Sequence, residues 1–99
     1  MRRYTSVLEI KQAAALGPDK YFFTPGAMRY FNSRISETIY GGRYFVTSER
    51  PPSGPRRYTV RRINDDRSIE DVSGFQAYAS LSGASAAAER YAREEQNEL

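Results

Sequence analysis

The stretch "RRYTVRRINDDRSIEDV" (Arg56–Val72) decides the fold. Tyr58, Thr59, Val60 and Ile63 are aromatic or β-branched, which suits a pleated strand. "NDDR" then supplies turn-forming residues, and "SIEDV" returns. If Asp65–Arg67 is a three-residue loop, Ile63 faces Ile69, Val60 faces Val72, Arg62 faces Glu70 and Arg61 faces Asp71. Apolar residues then meet apolar ones and each base meets an acid, whereas a slip of one residue would break both matches. The register predicts a hairpin in which Arg61 and Arg62 have carboxylate partners and Arg56 and Arg57 have none.

Upstream, "RYFVTSE" reads as a strand over Tyr44–Ser48, and Gly41-Gly42 before it suggests a tight two-residue turn. "RPPSGP" (Arg50–Pro55) cannot continue a strand and must be a loop. Downstream, the Ala-rich tail predicts a helix from about Ser82 or Ala84 to Glu95, with Ala84, Ala88, Tyr91 and Ala92 on one face.

Near the N-terminus, "SVLE" (Ser6–Glu9) has the spacing of a capping box and predicts a helix over Val7–Leu16, stopped by Gly17-Pro18. Lys20–Phe23 reads as a brief extended piece. Thr24 and Pro25 then open a short helix to about Ser33, placing Met28, Phe31 and Ile35 on one face.

The expected architecture is α+β: an antiparallel three- to four-stranded meander with helices packed on one face. A single domain spans residues 1–99, with residues 1–20 as a helical extension and 21–95 as the core. Met28, Phe31, Phe45, Val60, Val72, Phe75, Ala88 and Tyr91 are the expected core positions.

Composition narrows the chemistry. With no Cys and no His, thiolate metal sites and His-activated nucleophiles are excluded. Lys11 and Lys20, the only lysines, sit in no Ser-Lys motif, and no phosphate loop occurs. Asp65-Asp66 and Glu70-Asp71 could in principle hold Mg²⁺, but an Asp pair in a turn ordinarily bonds its own backbone. The reading is therefore a non-enzyme without cofactor or metal. Glu9 and Lys11 interrupt the apolar N-terminal patch, so no signal peptide is expected. No apolar run is long enough for a membrane span. The expected location is the cytoplasm.

Charge is unevenly spread. Residues 43–67 carry seven Arg against three acids, while residues 68–99 carry two Arg against six acids. Thirteen of the fifteen bases are Arg, the residue suited to bidentate contacts with carboxylate or phosphate. Arg43, Tyr44, Arg50, Arg56, Arg57 and Tyr58 are the candidate partner-binding residues. The bland alternative is that they only solvate a half-exposed sheet.

The segments "YFF…GAMRYFNSRI", "YFVTSE", "RRYTVRRI" and "GFQAYASL…AAAERY" together resemble a family of small phage and prophage proteins of unknown function. The resemblance covers about residues 21–92 and transfers no site residue. It implies an accessory protein of a bacterial virus that docks on a host or host-defence protein. A nucleic-acid-binding module using the same Arg and Tyr residues is the alternative, and a minor structural or assembly protein is a third. "GRYFVTSE" is superficially similar to the aromatic strand of RNA-recognition domains, but its second Gly is missing and the element order is wrong. The acidic C-terminal helix also weighs against wrapping a duplex. Oligomeric state is open, with a homodimer among the alternatives.

Overall fold

The hairpin forms in the expected register in a computed structural model that describes residues 2–30 and 32–97. In chain order the elements are α1 (Val7–Ala14), α2 (Pro25–Tyr30), β1 (Arg34–Ile35), β2 (Tyr44–Glu49), β3 (Arg57–Ile63), β4 (Ile69–Asp71) and α3 (Leu81–Asn97). Strands β3 and β4 pair Arg61 with Asp71, Arg62 with Glu70 and Ile63 with Ile69. The Val72 amide donates to the Val60 carbonyl at 3.0 Å, continuing the ladder. Asn64 and Ser68 close the loop, and Arg67 takes the left-handed conformation (φ 69°) that a three-residue hairpin loop requires. Asp66 accepts from the hydroxyl and amide of Ser68, which hold its carboxyl below the ordinary range. The Asp pair thus lies in a turn closed by its own hydrogen bonds.

The sheet is an antiparallel meander in the order β1-β2-β3-β4. Alternation along β2 and β3 divides the core into two halves. Tyr44, Val46 and Val60 point to one face, where Ala84, Ala87, Ala88 and Ala92 of α3 cover them. Phe45 and Ile63 point to the other face and pack with Tyr4, Ile10 and Ala13. The α+β class and the meander are as expected. The placement of helices on one face holds for α3 and not for α1, whose Ile10 and Ala13 cover the opposite face. Tyr4, Ile10 and Ala13 of the N-terminal segment therefore belong to the core.

Local expectations fare unevenly. Ser6 caps α1 by accepting from the Glu9 amide at 3.2 Å. Glu9 reaches one residue further back than a capping box predicts, accepting from the amide and hydroxyl of Thr5. Helix α1 ends at Ala14, two residues early, and closes in tighter turns from Ala13 and Ala14 to Leu16 and Gly17. Lys20–Phe23 is not extended: Phe22 donates to Asp19 and Thr24 to Tyr21, so this segment is a chain of turns. Helix α2 ends at Tyr30, and the left-handed Asn32 (φ 51°) follows.

The Gly-Gly turn is a three-residue loop, Gly41 to Arg43, closed by mutual hydrogen bonds between Tyr40 and Tyr44. Gly41 has φ 60°, and a Cβ there would lie 2.9 Å from the Ala92 Cβ, so only glycine fits. Helix α3 starts at Leu81, earlier than expected, because Ser80 caps it by accepting from the Gly83 amide. Of the expected core residues, Phe45, Val60 and Ala88 are fully buried, Val72 and Tyr91 pack against the α3 cluster, and Met28 is half-buried. Phe75 is 50% exposed and is not a core residue. Phe31 lies outside the described residues.

Candidate functional site

The six candidate residues occupy three environments. Arg43 and Tyr44 are inside the protein, 5% and 3% exposed. Arg43 Nε donates to the Ile63 carbonyl at 3.2 Å. Its buried Nη1 lies 3.5 Å from Glu95 and 3.8 Å from Asp65 without making a hydrogen bond to either. The Tyr44 hydroxyl donates to Glu95 and accepts from Arg62, while its ring stacks on Tyr91 at 6.2 Å. These residues fasten the end of α3 to the sheet. Sequence reading placed them at the surface because nothing local signals that α3 returns over them.

Arg57 is a clamp. Its Nε donates to the Gln76 carbonyl at 2.9 Å and its Nη2 to the Ala77 carbonyl at 3.2 Å. These bonds hold the 73–80 segment, which also pairs through Tyr78 with Tyr58. Among the described residues Arg57 has no carboxylate partner, as expected, but its Nε and Nη2 donate to backbone carbonyls.

Arg56 and Tyr58 line an open cleft of about 210 Å³ at the β1 side of the sheet, with Arg34, Ile35, Ser48 and Leu81. Pairing β1 with β2 sets Arg34 opposite Ser48, and Arg56 Nη1 donates to the Ser48 hydroxyl and carbonyl at 2.8 and 3.2 Å. Arg50 is exposed just beyond the end of β2. Burial lowers the proton affinity of Arg56, and the like charges of Arg34 and Arg50 lower it further. Arginine nonetheless stays charged at any ordinary pH. Among the described residues no carboxylate lines the cleft. Glu49, whose charge also reaches Arg56, is directed to the other face and bonded to Arg61. Arg34 was missed by sequence reading: its place beside Arg56 depends on a strand pairing with no local signature.

The other two arginines of the opening stretch part company. Arg62 bonds Glu70 at 2.9 Å as the register predicts. Burial works against its charge, but the Tyr44 hydroxyl and Glu70 outweigh it and hold the proton more tightly. Arg61 does not turn to Asp71. It donates to Thr47 at 3.0 Å and to Glu49 at 3.2 Å on the neighbouring strand, forming a buried ion pair. The expected exposed Arg61–Asp71 pair is thus corrected: Asp71 sits on an exposed edge strand, whereas Glu49 is 3% exposed and needs a cation.

Arginines, a phenol and serine hydroxyls in one cleft can bind an anion through charge-assisted hydrogen bonds. Among the described residues no helix is long and apolar enough to cross a membrane. Residues 6–89, well over half of the chain, match the model of a family of unknown function (DUF7447). The match begins at the cap of α1, so it takes in residues 6–20 of the N-terminal segment that the sequence resemblance left out. No curated protein and no solved structure matches the chain.

Proposed function

We propose, for a chain that belongs to this family of unknown function, a non-enzymatic role: it docks on a protein partner by receiving an acidic segment at the Arg34, Arg50 and Arg56 edge of the sheet. The observation that carries this reading is a cleft walled by Arg34 and Arg56, with the charge of Arg50 reaching Arg56 from beside it and no carboxylate among the described residues of its walls. Tyr58 and the 46% exposed Leu81 add apolar contact area beside the charges. Arg and Tyr in such settings are favoured interface anchors. The resemblance to small phage and prophage proteins points to a host or host-defence protein as the partner, met in the host cytoplasm.

The test is capture from a host lysate by wild type and by an Arg34→Glu/Arg50→Glu variant, with captured proteins identified by mass spectrometry. Both residues are exposed, so the variant should melt like wild type. The expected result is loss of a specific protein from the variant. Retention of that protein would overturn the reading. A phosphate backbone would meet the same arginines, and salt separates the two cases. Affinity for nucleic acid falls steeply with salt as counterions are released, and a protein interface falls less.

A further inference from the structure

The opposite face of the sheet holds a second concave site, independent of the arginine cleft. It is a cleft of about 220 Å³ with Phe22, Met28 and Phe75 in its walls and Thr47, Glu49 and Arg61 in its floor. The floor is unusual. A buried ion pair in a small core is a poor source of stability, because desolvation offsets the attraction. Glu49 is well satisfied, accepting from Thr47 at 3.0 Å, Arg61 at 3.2 Å and Thr59 at 3.4 Å. Arg61 is less so. Of its five N–H donors, Nε is spent on Thr47 and one Nη2 hydrogen on Glu49. Among the described residues no acceptor takes Nη1. The Phe22 and Phe75 rings lie against the guanidinium, at 5.1 and 5.6 Å. Glu49 and Thr47 fix one edge of a planar cation and leave donors for an acceptor in an apolar-walled space.

We infer that this cleft binds a small organic acid with a single aromatic ring as its body, the carboxylate on the open donors of Arg61 and the ring against Phe22, Met28 and Phe75. Size agrees: a cavity of about 150 Å³ holds benzene, so this one has room for a ring and its carboxylate. Chemistry agrees as well. A charge-assisted hydrogen bond is stronger than a neutral one, and apolar walls favour a ligand with an organic body over a bare inorganic anion.

The full chain is titrated with 3-phenylpropionate and with 3-phenylpropanamide, which has the same body and no charge. Calorimetry and the arginine side-chain NMR signals report binding. The expected result is one saturable site for the acid, a shift of the Arg61 signals, and binding of the amide weaker by at least about tenfold. Because Arg61 holds buried Glu49, its own variants disturb the fold. Phe75→Ala, at a half-exposed position, is the variant of choice and should weaken the acid about tenfold while unfolding cooperatively. Equal affinity for acid and amide, absence of saturation, or full binding by Phe75→Ala would each overturn the inference.

Discussion

Arg61 and Arg62 adjoin in sequence and have opposite energetic weights, because a strand sends them to opposite faces. Arg61 compensates a carboxylate whose side chain is only 4% exposed. Arg61→Ala should cost about 3–5 kcal/mol in urea unfolding, since Glu49 is left charged and buried. Replacing both partners by leucine should recover much of that loss. Arg62→Ala removes a pair whose Glu70 side chain is 48% exposed, and should cost about 0–1 kcal/mol. A loss below 1 kcal/mol for Arg61→Ala would show that Glu49 finds water or another cation. Arg56 and Arg57 also differ from a simple solvated pair. Their bonds to Ser48, Gln76 and Ala77 mean that charge reversal at both should lower the melting temperature, independently of any partner.

Helix α1 is short, so its ends matter. Ser6→Ala should cost about 0.5–2 kcal/mol by removing the cap. The Thr5 hydroxyl and amide hold the Glu9 carboxyl below its ordinary range. A depressed carboxyl contributes stability that is present above its unfolded value and lost as pH falls through the folded one. Wild type should therefore lose stability on acidification through the glutamate range more steeply than Glu9→Gln, and parallel curves would exclude that contribution. At the other end of the chain, Gly41 lets Ala92 of α3 approach the Gly41–Arg43 loop. Gly41→Ala should cost about 1–2 kcal/mol for the left-handed conformation alone, and more from the contact with Ala92. Circular dichroism at rising urea would read both variants.

At the scale of the whole molecule, a thin sheet is covered on both faces, one by α3 and the other by α1 and the turns after it. Removing residues 1–17 would expose Phe45 and Ile63, both fully buried in the intact chain. The expected outcome is loss of a cooperative unfolding transition, followed by near-ultraviolet dichroism. A truncated chain that unfolds with the wild-type midpoint would reduce α1 to an appendage. The two clefts lie on opposite faces, so occupation of one leaves the other open. Reversing Arg34 and Arg50 should leave 3-phenylpropionate binding unchanged.

The hairpin register, the Ser6 cap, the Pro-rich loop and the Ala-rich helix were legible in the sequence, because each rests on side chains within a few residues of one another or on strict two-residue alternation. The left-handed residues Arg67 and Asn32 and the three-residue Gly41–Arg43 loop were not, since several loop lengths suit the same local sequence. Nor was the sorting of the arginines. Whether Arg43 is buried, Arg57 clamps a carbonyl or Arg61 chooses Glu49 over Asp71 depends on which segments lie across the sheet. Arg34 and Arg56 form one cleft because β1 and β3 both flank the end of β2, and Arg61 floors another because Phe22 and Phe75 come to it from distant parts of the chain. Local sequence determined the β3–β4 hairpin, the cap of α1 and the Ala-rich helix by nearest-neighbour chemistry. Burial and charge compensation, which depend on everything a side chain meets in space, were decided only by the tertiary structure.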